Sequence, residues 1–198
     1  MILFRVRKLR AIAIVAAVIC CFTVSSLVAA SPAKAPNVVY TASGTFASPP
    51  ISGNDLFQLQ GQPFNITVTA NEADTAKNNP HGPQWAVYKP LPISGSVQSG
   101  LLPTPITFSN NNTSIELAVG NPSYDVISIF TPVPVVGITI YVVATIHAPK
   151  GTLTNDHILP FTAPVTITPA NATMTYSDPS TGTSTTLGMN GTLSTAVH

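Results

Sequence analysis

Past residue 30 the sequence contains no cysteine and no arginine, and it has no long proline-free stretch rich in helix formers. Each absence excludes something. Without cysteine no disulfide can staple the fold, so a packed core has to hold it together. Without arginine the fixed cations are Lys34, Lys77, Lys89 and Lys150, scattered along the chain. Such a set builds no basic patch against a phosphate backbone, which excludes a nucleic-acid partner. Seven acids stand against these lysines, giving 4 − 7 = −3 for this part of the chain. All nineteen prolines lie there, and glutamate and lysine are scarce, a composition that helices tolerate poorly. Only 8% of the whole chain is charged, so its surface is hydrated mainly by the neutral groups of Thr, Ser and Asn.

The first thirty residues are different in kind. Arg5, Arg7, Lys8 and Arg10 precede an uncharged run from Ala11 to Ala30 dominated by Ala, Val and Ile. A basic segment followed by an apolar one predicts a signal helix for export. Val28 and Ala30 offer the small residues a signal peptidase reads, making Ser31 the new N-terminus. A cut after Ala35 is disfavoured by Pro36, and the bulky Ile19 before Cys20 argues against lipid attachment. The alternative is an uncleaved anchor, because the run approaches the ~20 residues that span a bilayer, although Thr23, Ser25 and Ser26 weaken it. The expected division is a signal peptide over 1–30, a short tether over 31–36 and one domain over 37–198. The expected location is secreted, periplasmic or at the cell surface, with membrane contact only through the N-terminal segment if it stays uncleaved.

The domain reads as all-β. Phe64, Ile66, Val68 and Ala70 alternate with Asn65, Thr67 and Thr69, and Ile115, Leu117 and Val119 alternate with Ser114, Glu116 and Ala118. From Gly137 to His147, Ile138, Ile140, Val142, Ala144 and Ile146 share one face, opposite Thr139, Tyr141, Val143, Thr145 and His147. This period of two belongs to strands with one buried face, and the last segment is expected to be central in its sheet. Further strands are predicted over Val38–Phe46, Leu56–Gln60, Trp85–Tyr88, Gly95–Gln98, Ile106–Ser109, Val126–Phe130, Val165–Thr168, Thr173–Ser177 and Thr192–Val197. Roughly ten to twelve short strands between Pro, Gly and Asn turns predict a β-sandwich of two antiparallel sheets, jelly-roll or immunoglobulin-like, with a closed barrel as the second architecture. Asn71 to Pro83 is expected to be an exposed loop. The last predicted strand runs almost to His198, so no C-terminal sorting tail is expected.

Tyr40-Thr-Ala-Ser-Gly-Thr-Phe46, Ser52-Gly-Asn-Asp-Leu-Phe57 and Gly61-Gln-Pro-Phe64 together resemble the start of certain uncharacterised exported bacterial β-sandwich proteins. Some of those carry a Pro-Glu-Pro sorting tail, which this chain lacks. The resemblance covers about the first thirty residues of the domain. It implies an exported bacterial β domain and carries over no activity or site residues.

Candidate chemistry is sparse. Ser31-Pro-Ala-Lys34 has the Ser-x-x-Lys spacing of serine acyl enzymes without its partner motifs. No Gly-x-Ser-x-Gly, His-Glu-x-x-His or phosphate-binding glycine loop occurs. Glycoside hydrolysis needs paired carboxylates, and the glutamates past the leader are Glu72 and Glu116, the latter in the polar phase of a strand. Clusters of metal-ligand types are Glu72 with Asp74, near His81, and Asp156 with His157. Calcium takes such loop oxygens, whereas the commoner reading is turn chemistry by Asn and Asp. His147, on the predicted central strand, is read as a polar-face residue. Trp85 and Tyr88, after Pro80-His-Gly-Pro83, are the candidates for an aromatic platform that stacks on sugar rings. Asn65, Asn111, Asn112, Asn171 and Asn190 open glycosylation sequons, which matter only in a eukaryotic source.

The reading that follows is an exported, non-catalytic structural or adhesive module without a cofactor. Its alternatives are a carbohydrate-binding module using Trp85 and Tyr88, with glycans or envelope components as partners, and a secreted hydrolase. An exposed edge strand would leave the oligomeric state open.

Overall fold

The computed structural model describes residues 35–73, 76–79, 84–135, 138–179 and 181–198. The predicted signal segment lies outside the described residues, as do Asp74 and His81.

Ten strands account for most of the described chain: β1 (Val38–Phe46), β2 (Pro63–Ala70), β3 (Ala76–Asn78), β4 (Trp85–Val97), β5 (Ile106–Ala118), β6 (Tyr124–Val135), β7 (Ile138–Pro149), β8 (Val165–Ile167), β9 (Ala172–Asp178) and β10 (Thr183–Val197). Eight of them follow one another in the order β1-β2-β4-β5-β6-β7-β9-β10, each antiparallel to its neighbours, and β10 returns to pair with β1. The result is a closed eight-stranded barrel, wound up and down, and not the expected sandwich of two sheets. β3 adds to β4, and β8 pairs with β10 over Gly191–Leu193.

The physical reason for the difference is that alternation reports only that one face is buried. A sandwich and a barrel share that pattern. What separates them is whether the first and last strands are bonded. Here β1 and β10 are in register from Val38↔Val197 to Phe46↔Met189. Near the Phe46 end of this seam Gly44 faces Gly191. A Cβ on Gly44 would stand 1.8 Å from the Asn190 carbonyl oxygen, and one on Gly191 2.0 Å from that of Ser43. Two glycines therefore allow the closing strands to approach as closely as they do.

The barrel interior is the core. Tyr40, Tyr88, Ile115, Leu117, Ile127, Ile146, Leu187 and Leu193 are fully buried there. The opposite phase of each strand forms an outer wall of Thr, Ser and Asn, including Thr67, Thr69, Ser94, Ser96, Ser128 and Thr145. This is the inverse of a membrane-spanning barrel, whose outer band is apolar and whose lumen is polar. Among the described residues no helix is long and apolar enough to cross a membrane.

Each end of the barrel is covered by a long connection. At one end the β1–β2 loop turns inward, burying Leu59 and stacking Phe57 on Tyr176 at 5.3 Å between ring centres. Leu56–Gln60, expected to be a strand, is a turn within this loop. Its buried Asp55 accepts the Gln60 N–H, and Leu56 N–H donates to the Tyr176 hydroxyl. At the other end the chain between β7 and β8 crosses the opening, with Leu153 and Ile158 buried and Phe161 edge-on to Tyr40. The Tyr40 and Tyr88 hydroxyls rise from the core to donate to the carbonyls of Leu159 and Asp156. Asp125, 0% exposed, fastens this cover by pairing with Lys150 at 2.9 Å and accepting the N–H groups of Gly151 and Leu153.

Candidate functional site

The sequence-predicted metal ligands come together in part. Glu72 lies before β3, and Asp156 and His157 lie in the cover between β7 and β8. β3 places Lys77 among them, 3.2 Å from Asp156 Oδ2 and 3.9 Å from Glu72 Oε1, with its ammonium 5.4 Å from the centre of the Tyr88 ring. His157 Nδ1 contacts Glu72 Oε1. The carboxylates are thus directed at a protein cation, which stands where a metal would have to gather them. Among the described residues no group of three or more His, Cys, Asp or Glu side chains is arranged to hold a metal ion. The arrangement fits a clamp joining the β2–β4 connection to the cover, with the Tyr88 hydroxyl beneath it. Burial pushes the pKa of that hydroxyl up first, and the negative charges of Glu72 and Asp156 push it further in the same direction.

Trp85 and Tyr88 are three positions apart on β4, so they point to opposite sides of the wall. Tyr88 is fully buried in the barrel, while Trp85 is half-buried on the outer phase. The two rings do not share a platform. Glu116 sits between the buried Ile115 and Leu117, in the outward phase of β5. His147 is exposed and stacks on Tyr124 across the β6–β7 pair, 4.3 Å between ring centres and 15° from parallel.

The wall also carries a platform of two large exposed rings, built by β6 and β7. Phe130 and Tyr141 are diagonal neighbours across the ladder, 5.9 Å apart and 18° from parallel, and each is 42% exposed. Lys89, Asn112, Ser114 and Pro132 border them, forming a shallow groove. The signal for this platform was legible: Tyr141 belongs to the polar phase of its strand, together with Thr139 and Thr145, and an aromatic ring in that phase has to face water. Phe130 could be placed beside it only through the register of β6 on β7.

Taken with its fold, the described part of this chain is a closed antiparallel β-barrel with an apolar interior, covered ends and a polar wall that bears the exposed Phe130–Tyr141 stack beside the Tyr124–His147 stack. Comparison with protein-family models, with curated proteins and with solved structures gave no match.

Proposed function

We propose that this chain is an exported, non-catalytic module of the cell envelope or extracellular space, structural or adhesive in role, whose contact surface is the Phe130–Tyr141 platform. Export is supported by the basic residues and apolar run within residues 1–30. The exposed aromatic stack is the observation that carries the adhesive role, because large apolar rings left in water on a hydroxyl-rich wall point to a surface that something covers. Several of the ionisable groups serve the fold: Asp125 fastens the cover, and Glu72, Lys77, Asp156 and His157 pair with one another.

Fractionation of cells expressing the tagged full chain tests the first half of the proposal. Recovery outside the cytoplasm is expected, and recovery from the cytoplasm alone would end it. For the second half, retention on isolated cell-envelope material should fall at least tenfold in the Phe130→Ala/Tyr141→Ala double variant.

Glycan binding is the second reading, and the same platform favours it. Aromatic faces stack on the apolar face of a sugar ring, and Asn112, Ser114 and Lys89 stand where they could serve its hydroxyls. On a glycan array, Tyr141→Ala should abolish binding while Trp85→Ala leaves it intact. The reverse pattern would return the site to Trp85.

A further inference from the structure

The barrel wall is not evenly zipped. β5 and β6 are paired from Ser114↔Phe130 to Ala118↔Val126 and no further. Below that point β5 continues on β4 alone, from Asn110↔Ile93 to Ile106↔Val97, and β6 continues on β7 alone, from Thr131↔Val142 to Val135↔Ile138. The divergence is compatible with Pro132 and Pro134, which have no N–H to give to a ladder. At its upper end the split is bridged by side chains. Asn110 Nδ2 donates to the Pro132 carbonyl at 2.9 Å and to Thr131 Oγ1 at 3.0 Å, and Thr113 Oγ1 donates to Thr131 Oγ1 at 2.9 Å.

Directly behind this split is a cavity of about 40 Å³. That is roughly three times the space that holds a single water. Ile106 and Phe108 of β5 and Val133 and Val135 of β6 line it, with Phe57 and Leu59 of the end loop closing it from one side. Among its lining residues Thr131 and Tyr176 carry hydroxyls, and both are engaged elsewhere, Thr131 with Asn110 and Thr113, Tyr176 with Leu56 N–H and Asp55. The surface offered to an occupant is therefore apolar throughout. Water gains no partner in such a space, whereas a hydrocarbon loses no hydrogen bond by moving into it.

We infer that this cavity is a binding site for a saturated hydrocarbon group of one or two carbons, reached through the wall between β5 and β6 where side chains replace backbone pairing. The occupant is either a small free hydrocarbon or the end of an acyl chain whose head stays outside the split. Asn110 is the latch: its amide joins the two strands at the upper edge of the opening. Ala144, across the cavity on β7, is the small residue that leaves the room.

The test is a titration of methyl-labelled protein with ethane and, separately, with octanoate below its micelle concentration, because the cavity is far smaller than the ~150 Å³ that takes up benzene. Saturable shifts are expected at the methyls of Ile106, Val133 and Ile140, with those of Ile115 and Ile127 in the other half of the barrel unchanged. Response to both compounds assigns the site to acyl-chain ends, and response to ethane alone assigns it to small free hydrocarbons. Ala144→Val should fill the cavity and weaken binding at least tenfold while the Ile115 and Ile127 signals stay in place. Val142→Ile is the milder filling if the first variant does not fold. Asn110→Ala should speed binding and release. Absence of shifts with either compound, equal shifts in both halves, or undiminished binding in a folded filled variant would overturn the inference.

Discussion

At the scale of single residues, the polar groups buried in the barrel define how it responds to pH and to truncation. Tyr40, Tyr88 and Tyr176 are held in their neutral form, each pushed up from the ordinary value of 10.0, above all by burial. A phenol whose folded value exceeds its unfolded one contributes stability that is complete below the unfolded value and is lost as pH rises past it. The melting temperature should therefore hold from neutrality to about pH 10 and fall above it, with phenolate absorbance from these three tyrosines appearing together with unfolding. Ionisation of all five tyrosines in the folded protein near pH 10 would contradict the burial of Tyr40 and Tyr88. Asp125 is the acid on which the covered end most depends. Asp125→Ala strips a partner from Lys150 and from two backbone N–H groups, and should cost about 3 kcal/mol in denaturant unfolding. Glu116→Ala, in the outward phase of β5, should change stability by less than about 0.5 kcal/mol.

At the scale of elements, local pattern marked most strands and misjudged their lengths. β1 spans Val38–Phe46 as its alternation predicts, and β2 begins one residue before the predicted Phe64. Trp85–Tyr88 and Gly95–Gln98, read separately, are parts of one strand, β4, whose register shifts between Tyr88 and Ile93 absorb the Lys-Pro-Leu-Pro segment between them. The Ile106–Ser109 stretch and the later Ile115 alternation likewise join into β5, whose asparagines at 110–112 look like a turn in the sequence. Prolines and asparagines mark strand ends when only neighbours in the chain are considered, yet a bulge or a side-chain bridge lets a strand run through them. β3, inside the expected loop Asn71–Pro83, has no alternation to announce it and exists by pairing with β4. The same limit applied to the candidate site. The convergence of Glu72, Asp156 and His157 follows from strand order, and the lysine that occupies their centre carried no motif. The closing seam is the element most sensitive to substitution. Gly44→Ala or Gly191→Ala drives a methyl group into a backbone carbonyl of the facing strand, and each should destabilise the fold by about 1–3 kcal/mol, measured by thermal or urea unfolding.

At the scale of the whole molecule, the account depends on closure. Apart from the β5–β6 split the barrel has no unpaired edge, so a polar wall can surround an apolar interior while offering little template for aggregation. It also gives the β5–β6 split its meaning, because a gap matters only in a wall that is otherwise continuous. Hydrogen exchange at individual amides of β1 tests this most directly. In the barrel β1 is bonded to β2 on one side and to β10 on the other, so amides at both odd and even positions from Val39 to Thr45 should be protected. If β1 were the edge of an open sheet, amides of one parity would exchange at the rate of a free peptide, and that alternation would contradict the barrel.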